Sequence, residues 1–175
     1  MPSNVEIKAR IGSVDALLPL ARSISDGAPP ELILQDDSFF DVPNGRLKLR
    51  VFGDGSGELI HYDRSNADGP KLSEYCLVPV PDPASLRDAL TRACGLLGRV
   101  RKRRLLLRVG ATRVHLDRVE GLGDFLELEV VLREGQTEAE GSAIARDLMR
   151  RLDVVPGQLL SGAYLDLQRA SCGAG

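Results

Sequence analysis

Between Thr112 and Val130 the sequence reads TRVHLDRVEGLGDFLELEV, with charged or polar side chains alternating with aliphatic ones. Successive side chains of an extended strand point to opposite faces. Arg113, His115 and Asp117 therefore share one face, and Val114, Leu116 and Arg118 take the other. After the glycine-containing segment Glu120–Asp124, Glu127 and Glu129 share a face against Leu126, Leu128 and Val130. The stretch is predicted to be a β-hairpin with one charged and one largely aliphatic face. Carboxylates ligate hard cations such as Mg²⁺ or Mn²⁺, and guanidinium groups grip phosphate oxygens. Asp117, Glu127 and Glu129 with Arg113 and His115 on one patch could thus hold a metal ion and an anion together.

The same alternation recurs along the chain. Val5–Ile11 sets Glu6, Lys8 and Arg10 against aliphatic neighbours, and Arg46–Phe52 sets Arg46, Lys48 and Arg50 against Leu47, Leu49 and Val51. In VRKRR, Lys102 and Arg104 share a face. Two readings compete. An antiparallel sheet commonly turns one polar face to water, and charges discourage edge pairing. Here, however, the faces segregate by sign. Arg46, Lys48, Arg50, Lys102, Arg104 and Arg113 are basic, whereas Glu6, Asp117, Glu127 and Glu129 are acidic. A sheet closed around a polyphosphate and its divalent cations satisfies both signs, because isolated buried charge is costly.

The elements that must position these residues follow from punctuation. Strands are expected at Val5–Ile11, Leu32–Val42 (with an irregularity at Asp36–Asp37), Arg46–Phe52, Glu58–Arg64, Lys71–Val80 and Val100–Val109, besides the hairpin. Ser13 caps a first helix containing Leu17, Leu20 and Ile24, where Pro19 predicts a kink or a later start. Asp82–Pro83 starts a second helix that Gly95 stops. Thr137 with Glu140 forms a capping box for a third, with Ile144, Leu148 and Leu152 inward. GAYLDL is a last short segment, and the tail SCGAG is expected to fray. With about eight strands at hairpin spacing and three helices, the expected fold is α+β: a mainly antiparallel closed β-barrel with helices packed outside.

The 175 residues fit a single domain, with an ordered core expected over about 4–167. A 43% hydrophobic content supports a core, and a net charge of −2 argues against nucleic-acid or membrane-surface binding. No apolar run approaches the roughly 20 residues of a membrane span. Cys76, Cys94 and Cys172 fit no CxxC pattern, which points to reduced thiols and a cytoplasmic location. Long hairpins with aliphatic outer faces are compatible with a homodimer.

These segments resemble the CYTH superfamily, named for class IV adenylate cyclases and thiamine triphosphatases, whose fold is the triphosphate tunnel. VEIKARI, FFDVPNGRLKLR, LIHYDR, VRKRR, the Thr112–Val130 hairpin and GAYLDL carry the likeness from Asn4 to about Leu167, nearest to the bacterial class IV cyclase-like branch. The family signature Glu-x-Glu-x-Lys falls on Asn4, Glu6 and Lys8. The resemblance implies that Glu6 helps hold metal and that Lys8 contacts phosphate or supports the nucleophile. It implies a triphosphate cradle of Lys48, Arg50, Lys102, Arg104 and Arg113, with Arg46 in addition and Arg64 near the mouth, and a metal site of Asp117, Glu127 and Glu129. Asn4 departs from the signature, since an amide oxygen ligates a hard cation without supplying charge.

Two side chains keep double readings. His115 either orients a carboxylate or touches phosphate, or serves as a structural hydrogen-bonding group. Tyr75, with Lys71 and Ser73, belongs either to the tunnel wall or to packing. Gly121 and Gly123 read as turn formers, because no helix start follows them. The implied function is divalent-metal-dependent chemistry, with Mg²⁺ or Mn²⁺, on a small molecule such as ATP, thiamine triphosphate or tripolyphosphate. The candidates are an adenylate cyclase (ATP to cyclic AMP and pyrophosphate), a triphosphatase, or a non-catalytic polyphosphate or nucleotide binder.

Overall fold

The structure, a computed structural model, describes residues 3–64 and 70–172, excluding the side chain of Arg64. Eight strands, β1 (Ser3–Arg10), β2 (Glu31–Phe40), β3 (Arg46–Phe52), β4 (Gly57–Arg64), β5 (Lys71–Val80), β6 (Leu96–Val109), β7 (Thr112–Val119) and β8 (Gly123–Val131), form a closed barrel. Their order around it is β1-β5-β4-β3-β2-β6-β7-β8. Every pairing is antiparallel, and β1 against β8 completes the closure. Four helices lie outside: α1 (Val14–Ile24), α2 (Pro83–Cys94), α3 (Glu138–Arg151) and α4 (Tyr164–Cys172). The expected α+β barrel is the observed one, with one helix more than the sequence predicted.

The period-2 pattern explains the closure. Val5, Ile7 and Ala9 of β1, Val114 and Leu116 of β7, and Leu126, Leu128 and Val130 of β8 all point outward and are buried. They pack with Ala21 of α1 and Ala145, Leu148 and Met149 of α3. Truncating one such side chain, Leu128→Ala for example, removes transfer energy and leaves a cavity, at a cost of about 2–5 kcal/mol. A second, smaller cluster forms where α2 sets Leu86 and Leu90 on Phe40, Leu49 and Val80.

Local expectations were met or moved for physical reasons. The Ser13 hydroxyl accepts from Ala16 N, and α1 starts at Val14 rather than later. Pro19 lies inside α1 and is exposed, and its ring removes one helical hydrogen bond. The Thr137–Glu140 capping box opens α3, but Ile144 is exposed. The buried stripe runs instead through Gly141, Ala145, Leu148 and Met149. Gly141 allows that rotation, since a Cβ there would lie 2.8 Å from Val5 Cγ2 and 2.6 Å from Leu132 Cδ2.

β2 is in regular register through Asp36 and Asp37, and its irregularity falls at Phe39/Phe40 against β6. The adjacent carboxylates cause no break because each has cations on its own face. Asp36 meets Arg99 outside the barrel, while Asp37 turns inward. GAYLDL, read as a short segment, opens α4: the Asp166 carboxylate accepts from Ala163 N, and Tyr164 and Leu165 are buried. Gly98 admits this helix, since a Cβ there would meet Leu165 Cδ1 at 2.6 Å.

Candidate functional site

The inward faces of the strands enclose a cavity of about 370 Å³. Asn4, Glu6 and Lys8 of β1, Lys48 and Arg50 of β3, Tyr75 of β5, Lys102 and Arg104 of β6, Arg113 and His115 of β7, and Glu127 and Glu129 of β8 all line it. Strand parity thus delivers residues from six strands to one space. Across β1 and β8 the register sets Glu6 beside Glu129 and Lys8 beside Glu127.

One wall is a cationic clamp built on β2 and β3. Arg50 donates from Nε to Asp37 Oδ1 at 2.8 Å and from Nη2 to Oδ2 at 2.8 Å, and Lys48 Nζ lies 3.1 Å from Oδ2. Burial disfavours the Asp37 carboxylate, yet Arg50 and Lys48 outweigh it and hold the group well below the usual carboxylate range. Burial, with the Arg50 and Lys102 charges, brings the Lys48 ammonium down to about 8.

The adjoining wall, on β6, β7 and β8, combines both signs. Arg104 forks onto Asp117 with two bonds of 2.7 Å, and its Nη2 also donates to Glu127 Oε2 at 2.6 Å. Lys102 Nζ is 3.1 Å from Asp117, and the Tyr164 hydroxyl donates to the same carboxylate at 3.0 Å. Lys8 pairs with Glu127 at 3.2 Å and Arg113 with Glu129 at 2.8 Å. Burial opposes ionisation of Glu127, but Lys102, Lys8 and Arg104 hold it well below its ordinary range. Burial likewise opposes Glu129, whose neighbours His115, Arg104 and Arg113 bring it down to about 2. Burial and the Arg104 charge lower His115, which favours the neutral imidazole.

His115, Glu127 and Glu129 each offer a ligand atom, and these atoms lie within 4.8 Å of one another. Two carboxylates held ionised beside a neutral imidazole make a donor set suited to a divalent cation. On β1, Asn4 Oδ1 is buried without a hydrogen-bond partner, an acceptor that suits a cation. The residues present therefore fit a hard divalent metal.

Two expected site residues stand outside the cavity lining. Asp117 is fully buried behind the lining, its oxygens occupied by Arg104, Lys102 and Tyr164, and His115 stands in the metal-capable group instead. Arg46 lies outside the cavity lining and pairs with Asp166 of α4 at 2.8 Å. The Arg64 side chain lies outside the described residues. Among the cavity residues that were not anticipated, Asp37 and Tyr164 hold the cations in place. Asp37 was legible from parity, since Gln35, Asp37 and Phe39 alternate inward. Tyr164 had no local signal, as only α4 docking brings it to the cavity.

The structure is thus an antiparallel barrel that encloses paired cations and a metal-capable acidic group. The chain belongs to the CYTH family, whose domain pattern matches residues 3–164. Its members include divalent-metal enzymes of triphosphate substrates. A relative described as adenylate cyclase CyaB, from Aeromonas hydrophila, is 27% identical, over 93% of this chain and 87% of its own. A solved structure of a Pyrococcus horikoshii protein superposes with a TM-score of 0.83 at 24% identity, covering 94% of this chain and 98% of that one. A Hippeastrum protein, described as a putative adenylyl cyclase with a dominant triphosphatase activity, has a TM-score of 0.69 at 14% identity, covering 98% and 96%.

Proposed function

We propose that this protein is a divalent-metal-dependent enzyme that acts on a triphosphate inside the barrel, with conversion of ATP to cyclic AMP and pyrophosphate as the leading reaction. The observation that carries the reading is the convergence of Lys8, Lys48, Arg50, Lys102, Arg104 and Arg113 on the cavity that also holds His115, Glu127 and Glu129. Apolar Ile33, Phe52, Ile60, Leu77 and Leu106 line the same cavity, which supports an organic triphosphate over an inorganic one. The likeness to a relative described as an adenylate cyclase favours cyclisation. Hydrolysis of a triphosphate is the second reading, favoured by the Hippeastrum protein's described activity on the same fold.

In this reading Glu127, Glu129 and His115 hold Mg²⁺ or Mn²⁺, with Glu6 and the Asn4 amide oxygen beside them. The bound cation supplies neutralisation of phosphate charge. Lys48 and Arg50 grip the phosphates from one wall, and Lys102, Arg104 and Arg113 do so from the other. Asp37 and Asp117 hold these cations in place before substrate arrives, so little reorganisation accompanies reaction. Lys8 contacts phosphate near the reacting centre. In cyclisation the ribose 3′-hydroxyl attacks the α-phosphorus and pyrophosphate leaves; in hydrolysis water attacks the terminal phosphorus. The barrel serves both chemistries by orientation and charge neutralisation.

Phosphorus NMR of the protein with ATP, and separately with tripolyphosphate, in Mg²⁺ and then Mn²⁺ tests the proposal. Pyrophosphate with a cyclic monophosphate supports the cyclase. Orthophosphate supports the triphosphatase. No change in either substrate rejects catalysis and leaves a binder of polyphosphate or nucleotide.

A further inference from the structure

Lys8 Nζ is held from three directions. It pairs with Glu127 at 3.2 Å, donates to Gly162 O at 3.3 Å and sits 3.9 Å from the centroid of the Tyr164 ring. The same ring lies 4.8 Å from Lys102 Nζ, while its hydroxyl donates to Asp117 at 3.0 Å. Two of these contacts come from the segment at the start of α4, with Gly162 lying 154 residues from Lys8 along the chain. Tyr164 is 5% exposed and is itself fixed, its ring edge-on to Phe125 at a centroid distance of 4.9 Å. Burial and the nearby Glu127 and Asp117 charges push its phenol well above the ordinary value, so the hydroxyl remains a donor.

We infer that Tyr164 is a positioning residue of the active site: its ring face fixes the ammonium groups of Lys8 and Lys102, and its hydroxyl fixes the Asp117 carboxylate that orients Arg104. An aromatic face attracts a cation through its quadrupole without neutralising it, unlike a second carboxylate. The two ammonium groups are thereby held in place with their positive charge available to phosphate. The arrangement also explains why α4 is docked so closely, with Gly98 admitting Leu165 and Arg46 clamping Asp166. The inference rests on the functional reading above for what Lys8 and Lys102 bind.

The experiment compares Tyr164→Phe and Tyr164→Leu with the wild-type chain by three measurements: NMR of the lysine Hε protons, tripolyphosphate affinity by calorimetry, and kcat and KM for the substrate turned over. An ammonium above a ring face places its neighbouring methylene in the shielding cone. The Lys8 Hε resonances, assigned with Lys8→Arg, should therefore lie upfield in the wild-type chain and in Tyr164→Phe, and move to the ordinary lysine position in Tyr164→Leu. Tyr164→Leu should weaken tripolyphosphate binding about tenfold, the scale of a desolvated cation–π contact. Tyr164→Phe should bind nearly as wild type but lose about tenfold in kcat, as Asp117 loses a hydroxyl donor. If Tyr164→Leu does not fold, Tyr164→Met supplies the same comparison.

Wild-type Hε resonances at the ordinary position overturn the inference, as does equal tripolyphosphate affinity in all three chains. Equal loss of binding in the Phe and Leu variants also overturns it, because the ring would not be the cause. Upfield Hε resonances in a wild-type chain that binds no triphosphate overturn the functional reading instead, and reduce Tyr164 to a structural contact.

Discussion

The two walls of the tunnel use the same device to different ends. On β2–β3 a buried carboxylate, Asp37, lies under two cations, Lys48 and Arg50. On β6–β7 a buried carboxylate, Asp117, lies under two cations, Lys102 and Arg104. In the first wall two cations face one carboxylate. The second continues into β8, where Glu127 and Glu129 add carboxylates and His115 adds an imidazole. In the proposed reading, anion binding and metal binding are thus separated by what surrounds a shared carboxylate-under-cations motif. Buried pairs of this kind are weak contributors to net stability but strongly destabilising when one partner is removed.

The largest effect expected from breaking the contrast is Glu127→Gln. It removes charge from the metal-capable wall and a partner from both Lys8 and Arg104. Turnover should fall by at least about a hundredfold, the scale of removing one preorganised charge-stabilising group. Retained activity at saturating Mg²⁺ and Mn²⁺ would reject the metal assignment. Glu129→Gln should follow it through loss of metal, measurable as weaker Mn²⁺ binding by electron paramagnetic resonance.

Asp37→Asn probes the other wall. It leaves Lys48 and Arg50 buried with no carboxylate between them, and the chain should lose about 3–5 kcal/mol of stability. Because tripolyphosphate would replace the missing charge, it should raise the melting temperature of this variant more than that of the wild type. Equal ligand-induced shifts in thermal melts would argue against anion binding at Lys48 and Arg50.

The pH dependence sharpens the same wall. Lys48 carries its charge below about 8, so tripolyphosphate affinity should weaken as pH rises through that value. Lys48→Arg should remove the inflection in a calorimetric pH series. The stability effect has a definite sign: the folded chain binds this proton less readily than the unfolded chain. The cost of burying the charged Lys48 is present below about 8 and is relieved as pH rises towards the ordinary lysine value of 10.5. The smallest expected effect is Arg46→Ala. Its partner is the half-exposed Asp166, outside the cavity, so triphosphate affinity should change less than about threefold. A change as large as that of Arg50→Ala would return Arg46 to the cradle.

Much of the fold was written in the period of the sequence. Alternation in VEIKARI, RLKLR, VRKRR and the Thr112–Val130 hairpin assigns each side chain to a face, because successive residues of a strand alternate irrespective of their surroundings. That local rule, with the segregation of charge by sign, pointed to the antiparallel barrel, while the CYTH resemblance rested on the particular residues of these segments. The rule also brought Lys8, Lys48, Arg50, Lys102, Arg104, Arg113, Glu127 and Glu129 to one cavity. Pairing partners were a different matter, because they come from segments remote along the chain. Parity gave Asp117 and Glu127 the same inward direction, yet Asp117 is enclosed by Arg104, Lys102 and Tyr164 while Glu127 borders the cavity. Arg46 shared the parity of Lys48 and Arg50, yet α4 offered it Asp166. Asp37 acquired its role when β3 aligned Arg50 directly opposite it. Tyr164 reached the tunnel only because Gly98 left room for the helix that follows it. A side chain's direction is decided by the backbone that carries it, but its charge state, partners and distance to a ligand depend on what the closed barrel places around it.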